Sequence, residues 1–414
     1  MPLHSNADPN APALLRPTMS AAWVVLILSL LLGLQPITTD LYLPALPALT
    51  ASFEAPMGQA QLTLTALLLA FGLSQLVWGP LSDRFGRRPI LLIGMSAYLI
   101  ASVASAMAPS MAMLIVWRTM QGAAMGAGVM CARAIVRDLY TPLQGARVMS
   151  KGLTGLGIIA CASAPLGGLL SDLFSWRIAL LALAVFSAVC LAVVALRFTE
   201  TRPDTNRHAL KPAVLLQTWR SILRHPTFLT FSALSAVSYG GLFTFLAASS
   251  FVFIRVLGLS VTEYGFVMFV NSLMYVLGTL LCRRLLPCVG VPRAIAIAGV
   301  LSLTGGTTMG VLALASFQSV WAIMLPQCLY MLAHGIHQPC SQSGAVGPFP
   351  QAAGVASALN GFGMTLVAFA MGTWLGTHLN DTVFPLVLGI WFWSALIALI
   401  AWTLVQRYGH LDEH

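Results

Sequence analysis

What this sequence has least of is charge. Only 8% of its 414 residues are Asp, Glu, Lys or Arg, while 58% are hydrophobic, and soluble domains carry roughly 25% charged residues. A water-soluble globule is excluded; with a mean hydropathy of +0.86 the chain reads as an integral membrane protein. Acids are scarcer still, 12 against 21 Lys and Arg, which leaves a net charge of +9. That excess is not gathered on a polar module, so nucleic acid is not an expected partner. The 7 cysteines are odd in number and never form Cys-x-x-Cys, so neither a disulfide framework nor a zinc site is indicated. Also missing are a metal-ligand cluster, a nucleophile elbow and a Gly-rich phosphate loop, so an enzyme has no support and ATP is not the energy source. No cofactor and no metal are expected.

What is present is hydrocarbon-length apolar sequence. Runs of about 20 apolar residues, enough to span roughly 30 Å of lipid, occur at 21–48, 60–80, 90–108, 112–136, 150–171, 177–198, 227–253, 263–281, 294–315, 319–343, 353–376 and 384–405. The fold class expected is an all-α membrane protein with twelve transmembrane helices. A polar interval over 199–226, ending in a basic amphipathic stretch with Trp219 and Arg220, separates two six-helix bundles, 21–198 and 227–405. It reads as a surface linker lying at head-group level. Residues 1–20 are polar and Pro-rich and read as a disordered tail before an uncleaved first helix; 406–414 form a second tail.

The bases set the orientation. With the N-terminus in the cytosol, 18 of the 21 Lys and Arg fall at inner loops or inner helix ends, only Arg177 and Arg255 fall outside, and Arg118 alone lies within a span. Both termini are therefore expected inside. The densest inner loop, Gly79-Pro-Leu-Ser-Asp-Arg-Phe-Gly-Arg-Arg-Pro89, reads as a tight cationic turn with a single acid. A weaker counterpart, Cys282 to Arg293, follows span eight without the acid, as two parallel repeats require.

Several stretches carry a family likeness. The run Gly79-x-Leu-Ser-Asp-Arg-x-Gly-Arg-Arg88, together with the 6+6 split, resembles the major facilitator superfamily over the chain after residue 20. Asp40-Leu-Tyr-Leu-Pro-Ala-Leu-Pro, Arg118-x-x-Gln-Gly122 and Ala164-Pro-Leu-Gly-Gly168 are similar to its drug:proton antiporters. The first of these, with Ala132-Arg-Ala-Ile-Val-Arg-Asp-Leu-Tyr140, is similar to the bicyclomycin and chloramphenicol resistance branch (Bcr/CflA type). The usual fifth-span pattern has glycines where this chain has Ala160 and Ala164, small residues that keep close helix packing possible around Pro165, Gly167 and Gly168.

The resemblance implies a proton-coupled exporter, an antiporter of drug-like, apolar or amphipathic molecules such as antibiotics, working by alternating access. It implies the inner membrane of a bacterium, with lipid, substrate and protons as partners and a monomeric chain. A proton-coupled nutrient or metabolite transporter on the same fold is the alternative, and a many-helix membrane enzyme or receptor a third. Asp40 and Arg118 stand out because an intramembrane charge must be paired or face water. They form a candidate proton-coupling pair, with a static ion pair that fixes packing as the alternative. Pro36, Pro44 and Pro47 predict a break in the first helix beside Asp40.

In the implied fold, spans one, four, seven and ten line the cavity. This makes Gln35, Thr39, Tyr42, Gln121, Met125, Tyr239, Phe243, His334, His337, Gln338 and, from span eleven, Asn360 the candidate lining; a second titrating site at His334 or His337 stays open. The loop is a candidate latch of Asp83, Arg84, Arg87, Arg88 and Asp138. Arg87 pairs with Asp138, and Asp83 accepts from amides near Gly354 at the start of span eleven.

Overall fold

The computed structural model describes residues 19–140, 142–201, 212–349 and 352–409. Most of both expected tails and the middle of the 199–226 interval lie outside these residues. Among the described residues every regular element is helical.

Helix α1 (Ala21–Asp40) contains Pro36 and stops at Asp40. A 3-10 turn, Leu43–Ala45, then leads into the short α2 (Leu46–Ser52). Pro44 and Pro47 are the second residues of these two pieces, within the first turn where the N–H has no intrahelical partner to lose. The break predicted beside Asp40 is therefore present, and it frees backbone carbonyls on both of its sides. There follow α3 (Met57–Phe85), α4 (Arg87–Ala106), α5 (Met111–Leu139), α6 (Pro142–Leu173) and α7 (Trp176–Arg197). After them come α8 (Pro212–Ile222), α9 (Pro226–Ser250), α10 (Val261–Leu314), α11 (Val320–Val346), α12 (Ala353–His378), α13 (Phe384–Trp402) and α14 (Leu404–Tyr408). A π-turn, Phe251–Val256, prolongs α9.

Two expected loops prove shorter than the sequence reading. The cationic stretch after Gly79 is helix as far as Phe85, and only Gly86 interrupts it. Pro80 is accommodated within α3, and the Asp83–Arg87 pair, four residues apart, bridges the interruption. The counterpart stretch is likewise helical except at Gly290, so the expected eighth and ninth spans join as the two arms of α10. The two interrupting glycines share a conformation: φ 95° and ψ 164° at Gly86, φ 75° and ψ 171° at Gly290. That region is open essentially to glycine alone. The faint sequence repeat is thus a repeat of backbone geometry.

Burial is inverted relative to a soluble protein. Leu73, Val77, Ile93, Ile100, Val185, Leu196, Val300 and Leu399 face outward, while Gln61, Gln75, Arg118, Gln121, Gln327, Gln338 and Asn360 are buried. Apolar side chains turned to the solvent are stable when that solvent is hydrocarbon, and polar ones must then satisfy each other inside. Helices α1 and α3–α7 pack mainly among themselves, as do α9–α13, and the two groups meet along α3 with α12 and α6 with α10.

The α6–α10 seam explains the packing residues. A side chain at Gly168 would come within 2.8 Å of the Val261 carbonyl, and Gly167 abuts the Leu41 carbonyl at the α1 break. Pro165 lies against Gly265, whose added Cβ would sit 3.0 Å from the Pro165 Cα. Small residues here let two backbones approach where lipid supplies no hydrophobic drive.

Candidate functional site

Three assemblies of polar residues lie along the seam and at one end of the bundle. The first surrounds Arg118 on α5, which is fully buried. Its Nη1 donates to Gln121 Oε1 at 2.6 Å and its Nη2 to the Thr38 carbonyl at 3.0 Å, while the guanidinium lies 4.3 Å from the centre of the Tyr42 ring. Gln121 in turn donates to Ser102 Oγ at 2.7 Å, Tyr42 shares a hydrogen bond of 2.9 Å with Thr63, and Thr38 one of 2.5 Å with Tyr98. The cation is thus held by a carbonyl from the last turn of α1, an amide and an aromatic face.

The expected Asp40–Arg118 ion pair is not formed. Asp40, only 8% exposed, accepts from Thr39 Oγ1 at 2.8 Å, and among the described residues no ion pair reaches it. The reason is helical phase. Thr38 presents its carbonyl and hydroxyl to α4 and α5; two residues on, about 200° around the helix, Asp40 points to the other side. There it lies within electrostatic reach of Cys161 on α6, Tyr239 on α9 and Tyr264 on α10. The two charges share a depth and not a site.

The second assembly is a cavity of about 50 Å³ between the two helix groups. Gln35, Gln75, Arg133, Tyr239, Gln342 and Asn360 supply its main polar lining, with Phe71 and Met364 as apolar walls. Space on this scale admits water but falls far short of the roughly 300 Å³ or more of a drug-sized pocket, so the cavity is too small here for a drug-sized molecule. At the end of the bundle away from Arg87 the groups are joined by Arg255 Nη2, which donates to Thr50 Oγ1 at 2.7 Å, and by Thr262 Oγ1, which donates to Asp172 Oδ2 at 2.8 Å. Gln61 Nε2 also donates there to the Ala247 carbonyl. Toward the Arg87 end, Arg133 Nη1 crosses to Ser357 Oγ at 2.8 Å.

Of the residues expected to line the cavity, Gln35, Tyr239 and Asn360 do so. Thr39 supports Asp40, and Tyr42 and Gln121 hold Arg118. Met125 and Phe243 are buried in the hydrophobic core. His334 bonds through Nδ1 to Ser238 Oγ at 2.8 Å and stacks on Tyr330, while His337 lies against Ile295 of α10 with neither ring nitrogen in a well-formed hydrogen bond. Gln338 stands one layer back, accepting from Gln342 Nε2 at 2.9 Å and so orienting a residue that does line the space. The sequence reading missed Arg133, counting it only as a charge near a helix end. Its signal was its position six residues inside the last helical residue of α5, with no acid beside it until Asp138.

The third assembly is the loop end. Arg87, 1% exposed, pairs with Asp138 Oδ2 at 2.9 Å and with Asp83 Oδ1 at 2.8 Å, and donates to Ser82 Oγ at 2.6 Å. Glu200, which in the sequence reads only as part of the polar 199–226 interval, closes the cluster: its carboxylate accepts from the backbone N–H of both Arg87 and Arg88 at 2.9 Å, capping α4. Arg88 reaches the Ala195 carbonyl at 3.0 Å, and Arg84 lies over Phe85. The Arg87–Asp138 pair is as expected. Asp83 also lies 3.9 Å from Arg137, whose guanidinium stands beside Gly354 of α12, 3.5 Å from where a Cβ would be.

Comparison with known proteins gives consistent results. A sequence model described as the Major Facilitator Superfamily matches residues 28–373. Multidrug resistance protein D of Escherichia coli (strain K12) is 31% identical over 341 residues, covering 82% of this chain and 84% of that protein. A bicyclomycin resistance protein homolog of Haemophilus influenzae is 26% identical over 364 residues, covering 88% and 91%. The fold is similar to the solved structure of the xylose transporter XylE from E. coli in a partially occluded inward open conformation, with a TM-score of 0.74, 13% identity and coverage of 95% of this chain and 99% of that one.

Proposed function

The chain belongs to the Major Facilitator Superfamily, and from that premise we propose that it is a proton-coupled exporter of drug-like, apolar or amphipathic molecules. Its likeness to a multidrug resistance protein and to a bicyclomycin resistance protein homolog supports efflux as the direction of work. Twelve crossings in two six-helix bundles are supported by the nine helices, among the described residues, that are long and apolar enough to span a membrane. To these we add α5 and α11, whose polar residues lower their hydropathy, and a second crossing from the two arms of α10. The Arg87 end then lies in the cytosol of a bacterial inner membrane by its basic residues. The seals through Gln61, Arg255 and Thr262 lie at the outer face.

The observation that carries this reading is the setting of Asp40. It is a buried carboxyl at a helix break, on the seam side of α1, whose hydrogen-bond partner is a hydroxyl and not a cation. A proton can therefore come and go without breaking an ion pair, and burying the group is costly in one protonation state and cheap in the other. Its protonation thus biases which end of the molecule is open to water. Tyr239 links the two, lining the cavity beside Gln35 and lying within electrostatic reach of Asp40. In the working cycle a proton taken up at Asp40 from outside favours closure of the outer seal; its release inward favours substrate departure on the return stroke. No cofactor enters the scheme, and the proton gradient is the energy source.

Antibiotic susceptibility of expressing cells, read with and without a protonophore, tests the function. The reading expects inhibitory concentrations raised several-fold for amphipathic antibiotics and returned to control by the protonophore. Unchanged susceptibility across such a panel, together with saturable uptake of one polar solute, would identify a nutrient transporter instead.

A further inference from the structure

Among the described residues, Arg133 is a cation in the central cavity without an acid beside it. Arg133 Nη1 spends a single hydrogen bond on a neutral hydroxyl, Ser357 Oγ at 2.8 Å, and among the described residues no Asp or Glu lies within ion-pair distance of it. The nearest acids along α5 and α3, Asp138 and Asp83, are held by Arg87 at 2.9 and 2.8 Å. The residues around the cavity carry no carboxylate at all. A charge in a low-dielectric site is retained when something pairs with it, and the described residues supply no such partner.

A second group points into the same space. Asn360 is 3% exposed and lines the cavity; its Nδ2 reaches Ser235 Oγ at 3.5 Å, but its Oδ1 accepts from nothing among the described residues. Asn360 follows Ser357 by three positions on α12, so the two lie on one face with Cβ atoms about 5–6 Å apart. The guanidinium that reaches Ser357 and the unpaired acceptor of Asn360 are thus neighbours. Phe71 and Met364 provide the apolar wall beside them.

Resting on the exporter reading above, we propose that Arg133 is a specificity-determining residue of the substrate site and that the preferred substrates are amphipathic monoanions. The guanidinium fork takes a carboxylate or equivalent planar oxyanion, exchanging Ser357 for it. The Asn360 carbonyl takes a hydroxyl or amide N–H a few ångströms away, and the apolar body lies against Phe71 and Met364. A cationic molecule is repelled by the same unpaired charge.

Chloramphenicol and its hemisuccinate ester form a suitable probe pair, since they share an apolar body with hydroxyl and amide donors and differ by one carboxylate. Equilibrium binding of both to the purified full-length protein in lipid nanodiscs is compared for wild type, Arg133→Gln, Arg133→Lys and Ser357→Ala. The expected result is a preference for the hemisuccinate of about tenfold or more in wild type. That preference is erased by Arg133→Gln, partly kept by Arg133→Lys and kept by Ser357→Ala, which removes the crossing bond and leaves the charge. Equal binding of the two probes or binding of neither by wild type overturns the proposal, as does a preference that survives Arg133→Gln or vanishes equally in Ser357→Ala. Gradient-driven uptake of the same pair into proteoliposomes reports separately: selective binding without uptake sinks the exporter reading and leaves the anion site standing.

Discussion

Arg118 donates to the carbonyl of Thr38, two residues before Asp40, and therefore lies on the opposite side of α1 from the carboxyl that an ion pair would require. The intramembrane cation and the intramembrane acid consequently have separate tasks. Arg118 ties α5 to the last turn of α1 through a backbone acceptor that cannot titrate. Asp40 faces the seam between the helix groups, where a change of charge meets α6, α9 and α10.

A structural Arg118 makes a definite prediction for stability. Arg118→Met removes two charge-assisted hydrogen bonds and a cation–π contact and leaves the Gln121 carbonyl oxygen and the Thr38 carbonyl to find other partners. The expected cost is about 3 kcal/mol. Thermal unfolding in detergent should register it as a large fall in midpoint, and an unchanged midpoint contradicts the assignment.

The two interrupting glycines offer a paired test of the repeat. Alanine at either position must adopt a backbone region that costs about 1–3 kcal/mol. Gly86→Ala carries an added penalty because its Cβ would meet Glu200 Oε2 at 2.6 Å, whereas a Cβ at Gly290 has open space within 4 Å. Both variants should unfold at lower temperature than wild type, Gly86→Ala lower than Gly290→Ala. The reverse order would mean that the Glu200 contact is slack.

Glu200 itself should behave as a helix cap. Glu200→Gln keeps the shape but loses the negative charge at the α4 N-terminus, where it accepts from Arg87 and Arg88. A loss of about 1 kcal/mol is expected, with less effect at high salt than for a surface ion pair, since the backbone bonds remain partly available. A shift in unfolding midpoint larger for Glu200→Ala than for Glu200→Gln is the signature. Equal, negligible shifts in both would remove the capping role.

Much of this arrangement was legible in the amino-acid order, for reasons that differ by residue. Pro44 and Pro47 announced the break after Asp40 because proline is accepted cheaply only where a helix begins. Gly86 was legible as a turn, yet the turn looked eleven residues long because Pro80 and the clustered charges read as loop chemistry; the helix continues through them to Phe85. Arg118 was conspicuous as a charge in hydrocarbon, and Gln121 stands three residues on, but its other hydrogen-bond partner is the Thr38 main-chain carbonyl, which no side-chain pattern advertises. The two-residue step from Thr38 to Asp40 then turns the carboxyl about 200° away from that carbonyl. His334 and His337 share a face by spacing, and that face turned out to look at α9 and the α10 arm near Ile295 rather than into the cavity. Arg133 went unread because membrane topology accounts for a basic residue without asking what it touches, and Glu200 because it falls in a polar interval that reads only as a linker.

The central claim is that Asp40 carries the coupled proton, and substrate-driven proton flux through Asp40→Asn protein in proteoliposomes tests it most directly. The isosteric amide keeps a hydrogen-bonding group beside Thr39 and removes the titratable one. The account predicts that proton flux falls to about a tenth of wild type or less while substrate binding persists; flux equal to wild type in the Asp40→Asn protein would contradict it.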